Sequence, residues 1–219
     1  MPIYSQNLWK YLKNCGNLID MSERFRIMEN IFCGLIYIQN RGYKHLDIKL
    51  SNILLKTDSK TDKWDGRNCV ITDFGIGGKT EKTVGMAGTP GFASPQQLIG
   101  NASETSDNYS IGRTMVFLFS TWQGAWNALY QPIPKDVIQS IQIEPVQHDI
   151  FLIISNLIKI EPTSRTYLEL AFQQLLAVKK SLINIAPIEL TINLLLSGLP
   201  EREIESNTFD FKQVGEKTQ

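Results

Sequence analysis

K-H-L-D-I-K-L-S-N-I-L-L, residues Lys44–Leu55, is the stretch whose reading decides the fold. An acid, a base and an amide stand at fixed offsets in it: Asp47, then Lys49, then Asn52. They run straight into an apolar triplet, Ile53-Leu54-Leu55, with the composition of a short strand. Taken alone, the stretch is also accounted for by a polar turn ahead of a strand. Two later segments narrow the choice. Thr72-Asp73-Phe74-Gly75 follows a second apolar strand, Cys69-Val70-Ile71, and Gly88-Thr89-Pro90-Gly91-Phe92-Ala93-Ser94-Pro95-Gln96 comes after it.

In order and spacing these three segments resemble the catalytic loop, the metal-binding loop and the end of the activation segment of serine/threonine protein kinases. The resemblance runs from about residue 1 to residue 177. It implies a mainly α fold with a small two-stranded β element, a protein-kinase-like C-terminal lobe, over 1–177, with 178–219 as a C-terminal extension. It also implies transfer of the γ-phosphate of ATP to a serine or threonine hydroxyl of a protein substrate, with ATP and Mg2+ as cofactors. In that reading Asp47 orients the substrate hydroxyl and accepts its proton, and Lys49 lies near the transferred phosphoryl group. Thr89 is the hydroxyl that this lysine contacts. Asn52 and Asp73 hold the metal ion, Leu54 forms the floor under the adenine, the backbone near Ile3 or Tyr4 meets the adenine edge, and Asn7 lies near the ribose. His45 and Phe74 stack on one another, held from below by Asp107.

The chain departs from the family pattern in three places. Leu46 stands where the catalytic loop has arginine, the residue that pairs with an activation-loop phosphate. The usual phosphorylated position, three before Gly88, is Gly85, which has no hydroxyl. The two losses agree, because a buried arginine without its phosphate would be an unpaired charge. Thr80 and Thr83 remain as alternative modification sites. In the third, Ser94-Pro95-Gln96 replaces A-P-E, so Arg165, matched to the arginine that pairs with the family's glutamate, faces an amide.

Kinases also need a glycine-rich loop over the phosphates and a lysine paired to a helix glutamate. No G-x-G-x-x-G occurs in the chain, and Gly75-Ile76-Gly77-Gly78 falls within the activation loop. The expectation is therefore a C-terminal lobe without the N-lobe, with little turnover from these 219 residues by themselves. Two functions follow from different classes. One is a serine/threonine kinase whose lid lies elsewhere; the other is an inactive, pseudokinase-like binding or scaffold module. Both leave an apolar surface that includes Ile3, Leu54 and Phe74, to be covered by an N-lobe-like polypeptide, another partner, or the chain's own 188–196 segment.

Composition sets the outer bounds. The 22 basic and 22 acidic residues balance, so nothing suggests a nucleic acid or a membrane held by bulk charge. Three scattered cysteines read as buried free thiols in a reducing compartment, and two histidines exclude a histidine metal cluster. With no signal pattern and no apolar run of about 18 residues, the expected setting is cytoplasmic.

Helical spacing predicts a short helix over 7–13 and a longer one opened by Asp20 as cap with Glu23 three residues on. The longer helix buries Ile27, Ile31, Leu35 and Ile38 and ends at Asn40-Arg41-Gly42. Lys56–Asn68 reads as a solvated loop in which Trp64 hints at packing. A helix starting at Asp107 is apolar nearly all round and should cross the centre of the domain. Residues 124–147 are turn-rich, 149–160 and 167–178 are helical, Pro187 marks a change, and the chain beyond Gly198 is polar and frayed.

Overall fold

The computed structural model describes residues 4, 6–15, 19–57, 64–75, 77–79, 86–120, 124–126 and 146–197. It divides the chain into two compact units, Met1–Lys179 and Lys180–Gln219. The first unit is mainly helical with two small sheets, as a protein-kinase-like lobe requires. Expectations for Ile3, Thr80, Thr83, Gly85, most of 124–147 and the tail beyond Gly198 fall outside the described residues.

Strand β1 (Gln6–Asn7) leads into helix α1 (Leu8–Cys15), which buries Leu8, Tyr11 and Leu12. Helix α2 (Met21–Gln39) opens as the sequence requires: Asp20 Oδ1 accepts the Glu23 N–H at 2.7 Å, satisfying a donor that the first turn leaves orphaned. Its buried face is Phe25, Ile27, Met28, Ile31, Phe32 and Leu35, and Gly42 ends the segment with φ of 73°. Glycine suits that position because a Cβ would clash in the left-handed region. Each fully buried aliphatic or aromatic side chain contributes roughly 1.5–3 kcal/mol, so this face is a principal source of the unit's stability.

The sheet is larger than expected. Strand β2 (Tyr43–Lys44) pairs with β5 (Gly78–Lys79), while β3 (Ile53–Thr57) pairs antiparallel with both β1 and β4 (Trp64–Ile71), giving the order β1-β3-β4. The presumed loop 56–68 is thus partly strand, with Thr57 opposite Trp64 after a register shift beyond Leu55. Its polar composition hides this because ladder bonds are made by backbone and do not require apolar side chains. Trp64 anchors the far end. It is buried, its backbone N–H donates to the Tyr11 hydroxyl at 3.3 Å, and the Arg26 guanidinium lies 5.6 Å from its ring centroid. The Tyr11 hydroxyl in turn donates to Glu23 Oε1, joining α1, α2 and β4.

Short helix α3 (Pro95–Leu98) precedes α4 (Ser106–Phe119), in which every residue but Tyr109 is buried. Helix α4 packs against α2 and against α5 (Gln147–Leu157), which buries Ile150, Ile153, Ile154 and Leu157. Gly112 permits the close approach, since a Cβ there would stand 2.6 Å from Ile158 Cγ2. A 3-10 turn at Pro162–Ser164 ends this segment.

The last helix, α6, runs Leu168–Ser197 and does not stop near Val178. Proline removes one N–H from a helix interior and crowds one carbonyl. The helix nonetheless continues through Pro187 to Ser197. Within the first unit, Phe172 of α6 stacks on Phe32 of α2 at 5.5 Å. The cysteines are all free, but only Cys69 is buried; Cys33 is exposed because it lies on the face of α2 opposite Ile31 and Leu35.

Candidate active site

The segment 44–52 is shaped by a contact from far along the chain. Asp107, fully buried near the start of α4, accepts the N–H of His45 on Oδ2 and of Leu46 on Oδ1, both at 2.8 Å. Burial raises the pKa of this carboxyl, and the two N–H groups oppose the rise. Between the two bonds the backbone turns left-handed: Leu46 has φ of 65° although it carries a branched side chain. Such strain costs on the order of 1–2 kcal/mol and persists only where surroundings over-determine it. Here Asp107 holds the Leu46 N–H, the Gln97 amide donates to its carbonyl, and its side chain is buried.

This bend presents Asp47, Lys49 and Asn52 together. Lys49 Nζ donates to Asp47 Oδ2 at 2.7 Å and to Thr89 Oγ1 at 2.8 Å, and the Thr89 hydroxyl donates to Asp47 Oδ1 at 2.7 Å, closing a ring. Asn52 Nδ2 donates to the Asp47 carbonyl at 2.9 Å and to its Oδ2 at 3.0 Å. An ionised carboxylate has about four acceptor positions. Three are filled by Lys49, Thr89 and Asn52, so one remains for an incoming hydroxyl.

Asn52 also fixes its neighbour strand. Thr72 N–H donates to the Asn52 carbonyl at 2.8 Å, which brings Asp73 next to the catalytic loop. Asp73 is the second non-glycine residue with positive φ, 66°, and its Oδ1 accepts the Gly75 N–H at 3.3 Å. Asparagine and aspartate tolerate this region because their short side chains can bond locally. With the Asn52 amide nitrogen turned to Asp47, its Oδ1 is left as an acceptor, and the Asp73 side chain, one residue beyond the Thr72–Asn52 backbone bond, is exposed. One amide oxygen and one carboxylate are hard donors that suit Mg2+, which takes few protein ligands and keeps waters or phosphates for the rest. Among the described residues no cluster of three or more His, Cys, Asp or Glu could hold a metal by itself.

His45 and Phe74 stand 4.5 Å apart, ring to ring. His45 Nε2 is 3.0 Å from the Thr72 carbonyl, which can only accept, while Nδ1 accepts the Asp47 N–H at 3.3 Å. The ring therefore carries its proton on Nε2. Leu54 and Asn7, proposed for the adenine and ribose, are direct partners across β3 and β1. Asn7 Oδ1 is already engaged, accepting the Lys10 N–H at 2.9 Å to cap α1. Ile3, on the same expected nucleotide surface, lies outside the described residues. Phe74 is 49% exposed, and Leu54 is half-buried.

Sequence reasoning missed Gln97, which is fully buried and ties α3 to the Leu46 carbonyl. It also missed the approach of Gly88, where φ is 94° and a Cβ would meet Ala93 Cβ at 2.8 Å. The available signal was Gly88 itself, ahead of a proline-containing turn.

Residues 2–177 match the model of the protein kinase domain, and the chain belongs to the protein kinase family. It is 27% identical over 199 residues to the membrane-associated tyrosine- and threonine-specific cdc2-inhibitory kinase of Drosophila melanogaster, covering 84% of this chain and 35% of that protein. It is 35% identical over 141 residues to cysteine-rich receptor-like protein kinase 1 of Arabidopsis thaliana, covering 60% of this chain and 21% of that one. The serine/threonine-protein kinase PLK4 of Nematostella vectensis is 33% identical over 108 residues, 47% of this chain and 10% of its own. The chain spans about a third or less of these relatives. Among the described residues no helix is long and apolar enough to cross a membrane.

Proposed function

We propose that this chain carries the catalytic loop and metal ligands of a serine/threonine protein kinase. The observation that supports this most is the closed ring of Asp47, Lys49 and Thr89, which leaves one acceptor position on a carboxylate next to a cation. Asp47 takes the hydroxyl of a protein serine or threonine into that position and holds its proton as the oxygen attacks. Lys49, fixed by two bonds, keeps positive charge beside the transferred phosphoryl group. Asn52 and Asp73 hold Mg2+, which when bound neutralises the ATP phosphate oxygens. Asn7 and Leu54, partners across β1 and β3, are assigned to the nucleotide side. Relatives named as serine/threonine kinases and the Lys49–Thr89 bond both support the hydroxyl class. Free thiols fit a cytoplasmic setting, where ATP is supplied.

The glycine-rich lid is not among these 219 residues, so turnover by them alone is expected to be low. The test uses the native protein, captured from its own cells with an antibody to residues 200–219 and supplied with labelled Mg-ATP and a general protein substrate. Label on serine or threonine that falls about 10²–10⁴-fold in Asp47→Asn is expected. Label unaffected by that change, or confined to tyrosine, overturns the proposal. The exposed Phe74 favours a second reading, a scaffold whose partner covers that surface. Absence of any transfer from the native protein would support it.

A further inference from the structure

Beside the Asp47–Lys49–Thr89 ring the surface opens into a cavity of about 310 Å3, within the range that receives a ligand group. Lys49 and Thr89 belong to both, so the ring and the cavity are continuous. The far wall is aromatic. Trp9 of α1 meets Trp126 edge-on at 5.1 Å between centroids, and Phe92 stacks on buried Phe117 at 5.6 Å. Phe117 also supports Trp9 from behind at 6.3 Å. Trp126, 39% exposed, presents part of its indole to solvent, and Ser51 lies on the rim.

The charge around the cavity excludes two kinds of occupant. Among the described residues the lining holds no acidic side chain, and the Asp47 carboxylate beside it is already paired with the Lys49 ammonium, so a cationic side chain gains no ion pair there. An anionic one would find that ammonium already bound to Asp47 and Thr89, and would lie against tryptophan rings at a desolvation cost. A large apolar side chain meets neither obstacle. It would bury its surface on rings held rigid by their neighbours, the arrangement in which aromatic residues dominate binding energy.

We propose that this cavity selects the protein substrate by a large apolar side chain, aromatic or leucine-like, flanking the serine or threonine that receives the phosphate. The proposal rests on the kinase reading for the identity of its occupant, and its test reads binding separately from transfer.

The experiment measures binding of fluorescent serine peptides to the native full-length protein. In each peptide one position within three residues of the serine is varied among Phe, Ala and Arg. One Phe series is expected to bind about tenfold tighter than its Ala counterpart, the order expected for burying an aromatic side chain. Trp126→Ala should erase that preference while the Ala peptide binds as before. Ser51→Glu, which changes only an exposed rim residue, should raise the affinity of the Arg peptide relative to the Phe peptide. Equal binding of Phe and Ala peptides, a preference for Arg in the unmodified protein, or no peptide binding at all overturns the proposal. Phe preference without any phosphate transfer would instead sink the kinase reading and leave the cavity's selectivity standing.

Discussion

Arg165 Nη2 donates to Gln96 Oε1 at 2.7 Å, joining residues that the sequence separates by 69 positions. The guanidinium is buried, and three more of its five N–H groups go to the carbonyls of Lys159, Ile160 and Thr105. Desolvation lowers its pKa, so a neutral amide leaves an available stabilisation unused. Gln96→Glu supplies the countercharge. It removes the amide N–H that donates to the Ile160 carbonyl, but Arg165 Nη2 also reaches that oxygen at 3.0 Å. A gain of about 1 kcal/mol, or about 2–4 °C in Tm, is expected by thermal unfolding. A fall would mean that the lost Ile160 bond outweighs the new charge pair.

Asp107 holds two backbone N–H groups with two oxygens. Asparagine retains one oxygen and turns an NH2 toward the other N–H, leaving a buried donor unpaired. Asp107→Asn should lower stability by about 2 kcal/mol in denaturant unfolding. It should also speed hydrogen exchange at His45 or Leu46. A change within about 0.5 kcal/mol, the range of ordinary surface substitutions, would show that the bonds contribute little.

Burial pushes the Cys69 thiol up to about 12. In the unfolded chain a cysteine ionises near pH 8.5, so between these values the native state binds the extra proton. Its contribution is complete below about pH 8.5 and is lost as pH rises through the folded value. Tm of the unmodified protein should fall more steeply from pH 8.5 to 10.5 than that of Cys69→Val, a substitution suited to a strand. Parallel curves would contradict the assignment.

Thr89 links Lys49 to Asp47 through one hydroxyl. If that link positions the pair during transfer, Thr89→Ala should reduce kcat about tenfold to a hundredfold with KM for ATP little changed. Thr89→Ser, which keeps the hydroxyl, should restore most of it. A rise in KM for ATP with kcat intact would assign Thr89 to binding instead.

Much of this arrangement was legible in the chain because it rests on local chemistry. The Asp20 cap, the Ile27–Ile31–Leu35 face, the Gly42 stop and the buried helix from Asp107 each follow from spacing within a few turns. The family pattern also located the contacts of Lys49 with Thr89 and of His45 with Phe74. Other features were hidden for definite reasons. A two-residue strand such as Gln6–Asn7 is shorter than any periodicity, and the outer parts of β3 and β4 pair through backbone under polar side chains. Helix α6 passes Pro187, which the helix-breaking tendency of proline does not anticipate. Trp9 and Trp126 lie far apart in sequence and meet only through tertiary packing.

The bonds from Asp107 also bear on the order of events during synthesis. His45 precedes its acceptor by 62 residues, and Leu46 by 61. At about 5–20 residues per second, the ribosome takes on the order of 3–12 s to cover that interval. Throughout it the nascent segment around Asp47 has emerged without the carboxylate that bends it. The loop around Asp47 is thus the early-made, late-shaped part of the molecule: its residues are present before Asp107, and its geometry is set only afterwards.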